Sequence, residues 1–145
     1  MKKIISILLL TLSLNVSASN DWGTQHCLRN HGEVLTLDMQ WSQFKKIQVC
    51  KLGFRAVIEI NTLDRSYLND YGPHANQAYR QTPYSDFQAC QRFGGRRSRG
   101  VEPRTNLIYN ICEFSDRSAI GEDSLSDGYS SSWNRDLNRA LGILY

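Results

Sequence analysis

The sequence predicts an α+β fold of two tandem disulfide-stapled modules, each a short helix plus a small antiparallel sheet and a closing helix. Three observations predict it. First, the chain matches itself: Cys112, Phe114, Arg117 and Ile120 fall on Cys50, Leu52, Arg55 and Ile58. Leu125, Tyr129 and Trp133 then fall on Leu63, Tyr67 and Tyr71, and upstream Cys90 and Gly95 fall on Cys27 and Gly32. Such self-similarity marks a duplicated unit of roughly 60 residues. Second, the cysteines come two to a copy. Third, several segments alternate polar and apolar residues, the pattern of half-buried strands.

Residues 1–18 read as a secretory leader. Lys2 and Lys3 precede the apolar run Ile4 to Leu14, and Val16-Ser17-Ala18 supplies the small residues for cleavage after Ala18. The run is too short to span about 30 Å of hydrocarbon. Residues 19–82 are then the first module with its linker, and 83–145 the second. Two of the 17 basic side chains lie in the leader, so the mature chain sits near neutrality against its 14 acidic ones. That balance argues against a nucleic-acid binder working by phosphate neutralisation.

In an exported chain, four cysteines read as two disulfides. Three pairings are open, and the repeat favours Cys27–Cys50 with Cys90–Cys112. Loops of this length add about 3 kcal/mol per bridge. Modules this small need such staples.

The first helix is expected over 20–29, started by Asp21 and ended by Asn30-His31-Gly32. Strands are expected over 33–37, 46–50 and 54–60. The second copy starts a helix near Pro83 and Ser85-Asp86 and stops it at Gly94-Gly95. A strand at 106–112 and a shorter one within 115–121 follow. Residues 96–104 read as a loop carrying Arg96, Arg97, Arg99 and Arg104, with Gly100 and Pro103 as breakers. It is either an anionic binding patch or a solvated hairpin tip. Trp41, Phe44, Lys45 and Lys46 stand near the equivalent place in the first copy. Residues 127–133 are rich in Ser, Gly and Tyr, a composition of adaptable binding loops. The match of Trp133 with Tyr71 argues instead for a core tryptophan. A last helix is expected over 133–145, with Trp133, Leu137, Leu141 and Leu144 on one stripe. Its counterpart over 71–80 is shorter, and 68–82 serves partly as linker.

His26, His31 and His74 show no ligand spacing, so no metal site is assigned. No Gly-x-Ser-x-Gly elbow is present. Glu59, Glu113, Glu122 and Asp123 are available carboxylates, but nothing pairs two of them. Arg55 and Arg117 match across copies and read as structural forks, each held by carbonyls or a carboxylate of its own module.

Cys90-x3-Gly94-Gly95 and Ile111-Cys112-Glu113-Phe114-Ser115-Asp116-Arg117-Ser118 resemble a family of small exported bacterial domains of uncharacterised function, often given a haemolysin label. Arg117 stands where the family has glycine, and Ile120 stands near the place of a further family cysteine. The resemblance implies export and a stapled α+β module, and no catalytic residues.

These readings point to a periplasmic or secreted, non-enzymatic binding protein. Its expected partner is an exported hydrolase or toxin that it inhibits or to which it confers immunity. The candidate binding residues are Arg96, Arg97, Arg99, Arg104, Tyr129 and Ser131. No cofactor, metal, nucleic acid or integral membrane segment after cleavage is implied. The alternatives are a cell-envelope hydrolase with a carboxylate site and a structural envelope component.

Overall fold

A computed structural model describes residues 21–67 and 72–143. The leader, Tyr71 and Leu144 lie outside the described residues. In chain order the elements are α1 (Trp22–Arg29), β1 (Glu33–Gln40), β2 (Lys46–Leu52), β3 (Ala56–Glu59) and α2 (Ile60–Asp64). A 3-10 turn (Arg65–Tyr67) and α3 (His74–Arg80) complete the first half. The second half holds α4 (Ala89–Arg92), β4 (Arg96–Val101), β5 (Ile108–Glu113), β6 (Ala119–Gly121) and α5 (Glu122–Asp127). A 3-10 turn (Ser132–Asn134) and α6 (Arg135–Leu141) end it.

The expectation of two modules with separate sheets is overturned. All six strands form one closed antiparallel barrel in the order β1-β2-β3-β6-β5-β4. Each half contributes a three-stranded meander, and a meander alone has two unpaired edges. Closure removes both. At one seam Ile58 faces Ile120, and at the other Asp38 faces Val101. Both pairs join positions that coincide in the internal match. An antiparallel pair of equivalent residues implies a local twofold axis normal to the sheet. The duplication therefore becomes an approximate twofold axis through both seams, and it exchanges the two open ends of the barrel.

Alternation along the strands builds two apolar layers. Leu35, Leu37, Ile47, Val49, Val57, Ile111 and Ala119 fill the lumen. Cys50, Leu52, Ala56, Ile58, Cys112 and Ile120 face outward under the helices, with Leu63, Leu125 and Leu137. The halves also exchange hydrogen bonds. The Ala119 N–H donates to Thr62 Oγ1 at 3.0 Å, and the Val57 N–H donates to Ser124 Oγ at 2.9 Å. These are equivalent bonds, each crossing from one half to the other, and both hydroxyl residues are fully buried. Helices cross as well. The first turn of α3 donates its His74 and Ala75 N–H groups to Asp116 and Ser118, in the turn before β6. The Ala140 carbonyl of α6 accepts from His26 Nε2 of α1 at 2.7 Å. Buried polar groups of one half are thus met by groups of the other, which ties the two halves together.

Both expected disulfides are present, Cys27–Cys50 and Cys90–Cys112, with separations of 23 and 22 residues. Each ties a helix to the middle strand of its half. Asp21 caps α1 by accepting from the Thr24 N–H.

Several local expectations are corrected. Residues 96–101 form a strand, not a loop, with Arg97 opposite Cys112 and Arg99 opposite Asn110. The helix expected after Pro83 is only the single turn α4. The shorter helix expected over 71–80 is present as α3, at 74–80. β3 starts at Ala56 because the chain first turns at Gly53, whose φ is +67°. Trp133 is 46% exposed rather than a core residue, whereas Leu137 and Leu141 are buried. Among the described residues no helix is long and apolar enough to cross a membrane.

Candidate functional site: the two barrel mouths

The twofold relation gives the barrel two comparable mouths with different chemistry. At the first, β2, the end of β3 and the turn before β6 enclose a cleft of about 550 Å³, lined by Phe44, Gln48, Glu59, Asn61, Arg65 and Arg117 among others. At the second, Lys51, Phe54, Arg55, Leu107, Ile108 and Tyr109 are among the residues around a cleft of about 240 Å³. Arg117 and Arg55, the matched arginines, stand at equivalent places in the two.

The first mouth gathers acids, and two of them, Glu59 and Asp116, are engaged. Glu59 accepts from the Asn61 N–H at 2.7 Å, the Thr62 N–H at 2.9 Å and the Thr62 hydroxyl at 2.8 Å. Both of its oxygens thus cap the start of α2. Burial pushes its carboxyl above the usual range against the pull of those bonds. For Asp116 burial also acts upward, but the His74 N–H and the hydroxyl and N–H of Ser118 outweigh it and hold the group low. Two carboxyls pushed apart is the pattern of an acid–base pair. Here the bonds that hold Asp116 low, and those that oppose burial at Glu59, also occupy the two groups.

The cations of this mouth differ. Arg117 lies 4.7 Å from the Phe44 ring centroid and has φ +70°. The side chain of neither Arg117 nor Arg65 forms an ion pair or hydrogen bond with a described residue, although the charge of Arg65 pulls the Glu59 carboxyl down. At the second mouth the matched arginine is bound. Arg55 donates to Asp127 through Nε at 3.0 Å and through Nη2 at 2.5 Å, and stacks 5.1 Å from the Trp133 ring. The expectation that each arginine serves its own module is therefore corrected: both reach across to the other half.

The rim of the second mouth is apolar and open. Phe54 is 76% exposed, Leu107 52% and Ile108 50%. The Trp133 ring lies 5.3 Å from that of Phe54, so a bound guanidinium, an indole and a phenyl ring form one stacked group. Such contiguous exposed apolar surface marks interaction sites in soluble proteins.

The residues singled out from sequence divide between places. Arg97 Nε lies 2.8 Å from Glu122, and its Nη2 donates to the Phe87 carbonyl at 3.2 Å. The segment carrying Tyr129 and Ser131 is joined to residues 83–87, which include Phe87: the Asp86 N–H donates to Ser126 O, and the Ser130 N–H to Pro83 O. Arg97 and this segment thus share one side of the barrel, beside exposed Tyr84 and Phe87. Tyr129 is half-buried, edge-on to Tyr79. Ser131 caps the last 3-10 turn by accepting from the Trp133 N–H. Arg96 is exposed at the start of β4, and Arg99 lies 6.0 Å from the Trp41 ring. Arg104 is elsewhere, paired with Glu102 at 2.8 Å and near Glu33 at 3.9 Å.

Glu102 carries a testable charge. The Thr105 hydroxyl and then Arg104 hold its carboxyl at about 2, below the ordinary 4.5. The folded state prefers the anion, so this stabilisation is present above the ordinary value and disappears as pH falls from 4.5 to about 2. Glu102→Gln is expected to flatten the loss of stability across that window in urea titrations. An unchanged acid limb would remove Glu102 from the account.

Comparison with family models, with curated proteins and with solved structures gave no match.

Sequence reasoning missed Phe54, Leu107 and Ile108, because apolar residues at the edges of the strands expected over 54–60 and 106–112 look like core residues. It also missed Arg65. The signal was present there, since the internal match lays Arg65 on Asp127.

Proposed function

We infer that the chain is an exported, non-enzymatic binding protein, an inhibitor or immunity protein acting on an exported hydrolase or toxin. The observation that carries this reading is the stacked aromatic and aliphatic rim of the second mouth. Its composition of Trp, Phe and a fixed arginine is that of interface hot spots. Two disulfides and a leader-like N-terminus support export to the periplasm or beyond. Kinship with the small exported domain family belongs to the same proposal and rests on the motifs around Cys90 and Cys112. The alternative of a carboxylate hydrolase is less supported, because Glu59 and Asp116 at the first mouth are tied up by backbone N–H and hydroxyl donors.

Immobilised protein is expected to retain one exported protein stoichiometrically and to suppress that protein's activity. Phe54→Ala and Ile108→Ala should each weaken the complex at least about tenfold, with circular dichroism unchanged. Arg97→Ala is the matching arm for the surface first expected from sequence. Loss through Arg97→Ala alone would move the binding face to the β4 side. Peptidoglycan turnover by the purified protein would replace the reading with an enzymatic one.

A further inference from the structure

The internal twofold supplies a template for the first mouth. At the second, the guanidinium of Arg55 is closed by a carboxylate, Asp127, through two donors. The internal match lays Arg117 on Arg55 and Arg65 on Asp127. At the first mouth, then, the position that supplies the carboxylate supplies a second guanidinium instead. Both arginines line the cleft of about 550 Å³, and both are exposed. Asn61 and Gln48 add amide donors to the same lining.

The nearby acids do not fill the gap. Glu59 is occupied by the start of α2, and Asp116 by His74 and Ser118. Asp21 is occupied by Thr24. Lys46 lies 3.6 Å from Asp38. Asp64 is the remaining acid in the lining, and it forms no ion pair with a described residue. Arg117 is held in place by its stacking on Phe44, so it presents its donors without first losing side-chain freedom. Guanidinium groups recognise planar carboxylates through paired N–H bonds.

We propose that the first mouth is a carboxylate-binding site, in which a ligand carboxylate sits between Arg117 and Arg65 as Asp127 sits against Arg55. This site is separate from the apolar rim and does not rest on the binding reading given to that rim. The carboxylate belongs either to a small free acid or to an acidic side chain of a peptide, and the test separates the two.

The experiment follows the arginine Nε–Hε resonances of the full mature protein during titration. The probes are succinate, a Gly-Glu-Gly peptide capped at both ends, inorganic phosphate and, as the ionic control, sodium chloride. Saturable shifts of Arg117 and Arg65 with succinate or the peptide, absent with chloride, are the expected result. Succinate at least about tenfold tighter assigns the site to free acids, and the reverse order assigns it to a protein side chain. Arg65→Asp is the decisive variant. It places a carboxylate where the second mouth has one, so it should abolish the saturable shifts and raise the melting temperature. Arg117→Gln should abolish the shifts without that gain. Shifts no different from those with chloride, tighter binding of phosphate than of either carboxylate probe, or full binding by Arg65→Asp would each overturn the proposal.

Discussion

Gly95→Ala is expected to cost about 3 kcal/mol and to lower the melting temperature by about 10 °C. A Cβ there would lie 2.3 Å from Cys112 Sγ, 2.8 Å from the Cys90 carbonyl and 2.9 Å from Cys90 Sγ. No flexible side-chain end can retreat, because both sulfurs are fixed by the bridge and the carbonyl belongs to α4. Gly32→Ala meets the same obstacle at the first bridge, 2.4 Å from Cys50 Sγ and 2.6 Å from Cys27 Sγ. The neighbouring Gly94 is the control. It has open space around its Cβ position but φ +79°, so Gly94→Ala should cost only backbone strain of about 1 kcal/mol. Thermal melts of the three variants test this ordering. A Gly95→Ala melt no lower than that of Gly94→Ala would show that the bridge shifts to admit a Cβ and that the close approach is not what requires glycine there. The close approach also gives a physical reason for the second glycine of the Cys-x3-Gly-Gly motif.

Replacing Cys27 and Cys50 together by Ala should remove about 3 kcal/mol, most of it through the greater freedom of the unfolded chain. Both residues are fully buried beneath α1, in the layer that also holds Leu52, Ile58 and Leu63. Two alanines there leave some space as well as a longer free loop, so a smaller packing share adds to the chain-entropy one. Urea titration of the double variant at matched pH measures it. A loss below about 1 kcal/mol would mean that α1 is held by packing and its Ala140 contact rather than by the bridge.

How much of this was legible in the sequence depends on the element. The disulfides were, because the repeat singled out one pairing. So were β1, β2 and β5, whose alternation is strong. Closure of the barrel was not. Alternation says which face of a strand is buried, but it is silent on which edge pairs with which. Ile58 and Ile120 coincide in the internal match, yet nothing local says that they also face each other. β4 was misread because its inward positions are Ser98 and Gly100 rather than apolar residues. The space is filled from β1: a Cβ on Gly100 would lie 2.8 Å from Leu37 Cδ1 and 3.0 Å from Met39 Sδ. The arginines between those positions then dominate the composition and suggest a solvated loop. The equivalence of Gly95 with Gly32, which precedes β1, carried the correct assignment. At the mouths, Arg55 and Arg117 were recognised as matched, but their partners lie in the other half, which a module-by-module reading excludes.

The two halves form one barrel, and its unfolding should be cooperative across both rather than module by module. Amide hydrogen exchange of the Cys27→Ala/Cys50→Ala variant tests it most directly, since the lesion lies wholly in the first half. The slowest amides of the second half, those of Ile111, Cys112 and Ile120, exchange only on global opening if the barrel is one unit. They should then accelerate by the same factor as that of Val49 in β2, roughly 100-fold for about 3 kcal/mol. Second-half amides that keep their wild-type rates while those of β2 accelerate would contradict the claim.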